Sequence, residues 1–62
     1  MNHFELLKLK NHRVQFKNEM TKRLYGDVWL TGHLTSVMSH IISVDGVPYS
    51  RDDLDIEEFR NG

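Results

Sequence analysis

Val37-Met38-Ser39-His40-Ile41-Ile42-Ser43-Val44-Asp45-Gly46-Val47-Pro48-Tyr49-Ser50 decides the fold of this 62-residue chain. Apolar β-branched residues lie on both sides of Asp45-Gly46, the dipeptide that supplies positive φ at both centres of a type I′ turn. The stretch predicts a strand over 37–44 that folds back as a hairpin, Ser39 to Val44 against Val47 to Ser50. Pro48 has no backbone donor, which puts its side of the second strand at a sheet edge or a bulge.

Beyond the hairpin, Arg51-Asp52-Asp53 predicts a turn or one round of 3₁₀ helix. Leu54-Asp55-Ile56 then reads as a short last strand with Leu54 and Ile56 inward, and residues 57–62 are expected to fray. On the other side, a strand is predicted from near Leu24 or Tyr25 through Trp29 to about His33. Its Gly26 and Gly32 mark a bulge, a bend or a close backbone approach. Lys17 to Arg23 is polar and reads as a loop. From Arg13 the period is two, with Val14 and Phe16 on one side and Arg13, Gln15 and Lys17 on the other, as in a half-buried strand. Asn2 and Glu5 have the spacing of a capping box. They predict a helix over 3–9, with Phe4 and Leu7 on one face, interrupted by Asn11 and His12. The expectation is a mostly β single domain: a short N-terminal helix at about 3–9, then a curled five-stranded antiparallel sheet or small barrel at about 13–56.

Charge is sorted along the chain. Residues 1–25 carry Lys8, Lys10, Arg13, Lys17, Lys22 and Arg23 against Glu5 and Glu19, a net +4. Residues 26–62 carry seven acids against Arg51 and Arg60, a net −5, and the whole chain sums to −1. Such separation either closes on itself, tail against front, or shows partners two surfaces of opposite sign. At this length folding hides only about 60% of the surface of the unfolded chain, so stability is marginal without an oligomer or a partner. The absence of cysteine excludes disulfides and thiolate metal sites and makes a cytoplasmic setting the expectation. No apolar stretch approaches the roughly 20 residues that cross a bilayer, and the N-terminus lacks the order of a signal peptide.

Helix, strand, long bent strands, tight hairpin, single turn and last strand is an order that resembles the Sm-like and SH3-like small barrels. Sm proteins place a glycine six residues before an aspartate, with Met-Asn shortly after. Here Gly26 counts to Gly32 and then to Thr35-Ser36, and Met38-Ser39 is out of register, so the base-binding loop of that family does not carry over. The closing part, Ile41-Ile42-Ser43-Val44 to Leu54-Asp55-Ile56, is similar to that of bacterial YolD-like small barrel proteins.

Residues with chemical potential are weighed against plainer roles. His3, His12, His33 and His40 show no HxH or HExxH spacing and read as ordinary histidines. Five acids in seven residues, Asp52, Asp53, Asp55, Glu57 and Glu58, all look wet, whereas a catalytic pair needs one carboxyl in an apolar pocket. They read as a solvated face or a partner-binding strip. The serines have no GxSxG context, and no glycine-rich phosphate loop is present. Arg13, Gln15, Lys17, Lys22, Arg23 and Tyr25 form the set that would grip single-stranded RNA or DNA, against a chain pI of about 6.4. Trp29 faces out as an anchor if Val28 and Leu30 face the core, and lies inward in the opposite phase.

The resulting expectation is a small non-enzymatic binding or regulatory module, in type an accessory protein of a bacterium or phage. It would dock on a protein partner through the sheet edge near Pro48 to Ser50 and the acidic C-terminal strip. The partner-binding set is Trp29, Tyr49, Asp52, Asp53, Asp55, Glu57 and Glu58. No catalytic residue, metal ligand or cofactor is assigned, no membrane contact is expected, and open sheet edges make self-association plausible. The alternative is an Sm-like nucleic-acid binder using the basic front; a metal-dependent enzyme ranks last.

Overall fold

The computed structural model describes residues 2–60. The elements are α1 (His3–Lys8), β1 (Arg13–Lys17), α2 (Glu19–Tyr25), β2 (Leu30–Val37), β3 (Ile41–Val44), β4 (Val47–Ser50), a 3₁₀ turn (Arg51–Asp53) and β5 (Asp55–Glu58). The strands form one antiparallel sheet in the order β4-β3-β2-β1-β5. The sheet does not close into a barrel; β4 and β5 are its two edges.

The expected hairpin forms at Asp45-Gly46, where φ is 53° and 78°. Val44 pairs with Val47 and Ile41 with Ser50. The strand expected over 37–44 is broken. β2 ends at Val37, and Ser39-His40 turn the chain, closed by the Met38 N–H donating to the Ile41 carbonyl at 2.9 Å. Neither turn residue has positive φ, so this turn lacks the signature that marks the other. A bulge between Leu34 and Ser36 adds curl to β2. Thr35 fixes it: its hydroxyl donates to the Ser43 carbonyl at 3.0 Å and accepts the Gly46 N–H at 3.1 Å.

The largest correction is at residues 17–33. The expected loop at Lys17 to Arg23 is mostly the helix α2, and the strand expected from Leu24 or Tyr25 starts only at Leu30. Asn18 starts α2 through a capping box. Its side chain accepts the Thr21 N–H at 2.8 Å, and the Thr21 hydroxyl accepts the Asn18 N–H at 2.9 Å. Gly26, at φ 88°, ends the helix instead of bending a strand. Gly32 does sit inside β2, and it is a close approach: an added Cβ would lie 2.6 Å from both Val44 Cγ1 and Asp45 Oδ2.

The inner face collects the core: Leu6, Val14, Phe16, Leu34, Ile42 and Val44, with Leu9, Leu30, Val37, Tyr49, Leu54 and Ile56 half-buried against them. Leu54 and Ile56 point inward as expected. α1 begins at the expected cap, with Asn2 accepting the Glu5 N–H at 2.9 Å. It buries Leu6, while Phe4 and Leu7 stay exposed. β5 continues through Glu58, and the Phe59 N–H still reaches the Arg13 carbonyl at 3.2 Å, where fraying from residue 57 was expected. Residues 61–62 of that expected tail lie outside the described residues.

Candidate functional site

Hydrogen-bond phase determines which backbone groups each edge strand leaves open. In an antiparallel ladder alternate residues point their N–H and C=O toward the partner, and the residues between point them away. The bond from Phe59 to Arg13 sets the phase of β5, so Asp55 and Glu57 face β1 while Ile56 and Glu58 face outward. On the other edge, the bond from the Arg51 N–H to the His40 carbonyl at 3.0 Å sets the phase of β4. Pro48 and Ser50 therefore face outward there. Pro48 has nothing to donate, so β4 is a blunted edge and β5 an intact one.

The acids expected in a C-terminal strip are therefore part of a sheet edge. Asp55, Glu57 and Glu58 lie on β5, with Asp52 and Asp53 in the preceding 3₁₀ turn. The basic front and the acidic tail do touch: Lys17 pairs across from Asp55 and Gln15 from Glu57. Three cross-strand rows run over the outer face, Trp29/Lys17/Asp55, Thr31/Gln15/Glu57 and His33/Arg13/Phe59. Gln15 Nε2 donates to Glu57 Oε1, and the Arg13 guanidinium lies 5.3 Å from the Phe59 ring centroid.

This arrangement occupies much of the set named for nucleic acid. Lys17 is bonded to Asp27 at 2.9 Å and sits 4.5 Å above the Trp29 ring. The Lys17 ammonium holds the Asp27 carboxyl below its ordinary pKa, by hydrogen bond first and by charge second. Lys22 stands between Glu19 and Asp55 at 3.8 and 3.9 Å. Arg23 and Tyr25 are exposed on α2. By contrast Asp52, Asp53, Glu57 and Glu58 form no salt bridge among the described residues. Lys8, Lys10, Arg13, Arg23, Arg51 and Arg60 form none either; what sets the β5 end apart is that four of the acids without an ion pair, Asp52, Asp53, Glu57 and Glu58, gather there.

Trp29 lies just before β2 on the outer face and is 39% exposed, its ring half covered by Lys17. Tyr49 is half-buried, its ring 5.0 Å from that of Phe16, so much of its surface serves the core. Burial, then the neighbouring Tyr25 and Asp45, push its phenol pKa up. The histidines are dispersed: His33 Nδ1 is 4.0 Å from Asp45 Oδ1, and His3 Nδ1 is 3.0 Å from Arg51 Nη1. Among the described residues no three His, Asp or Glu side chains are placed to hold a metal ion.

Two open grooves meet at Glu57 and follow β5. One, of about 460 Å³, is lined by Leu6, Ile42, Leu54, Asp55, Ile56 and Glu57 with Lys17, Trp29 and Arg51. The other, of about 700 Å³, runs between α1 and β5 past Glu5, Lys8, Gln15, Glu58 and Arg60. α2 adds an exposed apolar surface that the sequence reading missed: Met20 and Leu24, one helical turn apart, face solvent and only Thr21 is buried. The i, i+4 spacing of Met20 and Leu24 was the available signal. Among the described residues no helix is long and apolar enough to cross a membrane. Comparison with protein-family models, with curated proteins and with solved structures yields no match.

Proposed function

We propose that this chain is a non-enzymatic binding module of regulatory type that docks on a protein partner through its acidic β5 edge. One observation carries the reading. The strand that keeps open N–H and C=O groups is also the strand that carries Asp55, Glu57 and Glu58, whereas the opposite edge is blunted by Pro48. An unpaired edge is a template for a further strand, and its charges select what is added. The edge first expected to dock, Pro48 to Ser50, keeps the Pro48 and Ser50 carbonyls open but only the Ser50 N–H as an outward donor, and becomes the secondary surface.

The strand order with β5 beside β1, and the 3₁₀ turn leading into β5, support kinship in layout with SH3-like and Sm-like small sheets. The helix α2 between β1 and β2 is a departure that gives this chain a surface of its own. Nucleic-acid binding by the basic front has less support, because Lys17 and Lys22 are already paired with acids.

The test uses Glu58→Pro, which removes one outward N–H at an exposed position and spares the ladder to β1. Tagged wild type and variant, both checked for folding by circular dichroism, are compared in affinity capture from the native host. A partner retained by wild type and lost with the variant supports the reading; identical capture overturns it. Micromolar binding of single-stranded RNA or DNA with a steep salt slope would instead favour the basic front.

A further inference from the structure

We infer that the occupant of the β5 edge is an extended protein segment in which basic and apolar residues alternate, a pattern that the chain's own β1 already displays. The inference rests on the docking reading above and specifies its partner. β5 has two edges and one set of side chains. Its inner edge is filled by Arg13-Val14-Gln15-Phe16-Lys17, in which Arg13, Gln15 and Lys17 lie on the outer face and Val14 and Phe16 on the inner one. On the outer face Asp55 and Glu57 meet Lys17 and Gln15; on the inner face Ile56 meets Phe16.

A strand added to the open edge pairs with the same side chains from the other side. Residues beside Asp55 and Glu57 face carboxylates, of which Glu57 has only neutral Gln15 as a hydrogen-bond partner and Asp55 only a distant Lys22. Cationic residues are favoured there, since opposite charges directly across a strand pair stabilise and like charges destabilise. A residue beside Ile56 faces the groove lined by Leu6, Ile42 and Leu54, so an apolar side chain is favoured there. The Ile56 and Glu58 backbone groups supply the hydrogen bonds, which are indifferent to sequence and give the strand its direction. A second copy cannot use its own β5 as the added strand without placing acids against acids, and its β1 is internal to the sheet.

The probe is a capped peptide copying residues 12–18, His-Arg-Val-Gln-Phe-Lys-Asn, titrated into the full chain and followed by the backbone amide resonances. The expected result is shifts and slowed hydrogen exchange centred on Ile56 and Glu58. A peptide with glutamate at the Arg and Lys positions should bind roughly ten-fold or more weakly, and Glu58→Pro protein should lose the interaction. Equal binding of the charge-swapped peptide, shifts centred on Val47 to Ser50, or retention by Glu58→Pro would overturn the inference. So would sedimentation showing a wild-type dimer that Glu58→Pro returns to monomer, because the occupant is then a second copy. If Glu58→Pro abolishes capture of a host protein while the basic peptide shows no preference, the docking reading stands and this inference alone falls. If Glu58→Pro changes nothing in the capture, both fall.

Discussion

Gly32→Ala should cost this small protein much of its stability, and the geometry gives the size. The new methyl would sit 2.6 Å from Val44 Cγ1 and 2.6 Å from Asp45 Oδ2, nearly 1 Å inside ordinary contact for each. Val44 is buried within the core and can retreat only by disturbing its neighbours. Asp45 can swing away, but its carboxylate accepts the His33 N–H at 3.0 Å at a position where φ is already 53°. Overpacking of a filled core costs roughly 1–3 kcal/mol, and a lost hydrogen bond adds about 1 kcal/mol. A total near 3 kcal/mol compares with about 3–9 kcal/mol for the whole stability of a chain this long. In a domain of this size that loss lowers the melting temperature by roughly 12–24 °C. The assay is thermal unfolding followed by far-ultraviolet circular dichroism. Thr31→Ala is the control, an exposed neighbour in the same strand expected to stay within about 0.5 kcal/mol of wild type. If Gly32→Ala melts within about 3 °C of Thr31→Ala, the contact between β2 and the 45–46 turn is not as tight as described and the reasoning fails.

Two further outcomes follow from local features. Asn18→Ala removes the acceptor of the Thr21 N–H at a buried cap. It should cost about 1–2 kcal/mol and speed exchange of the Thr21 and Lys22 amides well beyond the change at β3 and β4; uniform acceleration everywhere would contradict a local role. The folded-state pKa of Asp27 is depressed by Lys17, so that pairing contributes stability above the ordinary aspartate value and loses it as pH falls through the lowered one. A carboxyl-carbon titration should find the Asp27 midpoint below that of an unpaired aspartate, and Lys17→Met should bring it back up. An unmoved midpoint would remove Lys17 as the cause.

Several elements were legible because their local chemistry and their tertiary role agree. The alternation in Arg13 to Lys17, the Asp45-Gly46 turn, the break at Arg51 to Asp53 and the inward pair Leu54 and Ile56 all specify the structure they adopt. α2 was hidden for the opposite reason. Its start and stop signals are present, Asn18 before Glu19 and Gly26 after Arg23, but Met20 and Leu24 face solvent, so no apolar stripe tied the segment to the core. The Ser39-His40 turn was invisible because it needs no left-handed residue. At the site, the sequence gathered the acids but not their meaning. Only the phase of the β1–β5 ladder shows that they stand on an edge with open backbone groups, and only the β3–β4 phase shows that Pro48 removes a donor from the other edge.

That difference between the two ends of the sheet limits how many neighbours the molecule can recruit by strand addition. Under the docking proposal, with Pro48 removing a donor from one flank and carboxylates repelling a like strand at the other, a foreign segment added at β5 would not hand the pattern on to a next copy. Replacing Pro48 with valine would return an outward N–H to β4 and make that flank a second template for strand addition.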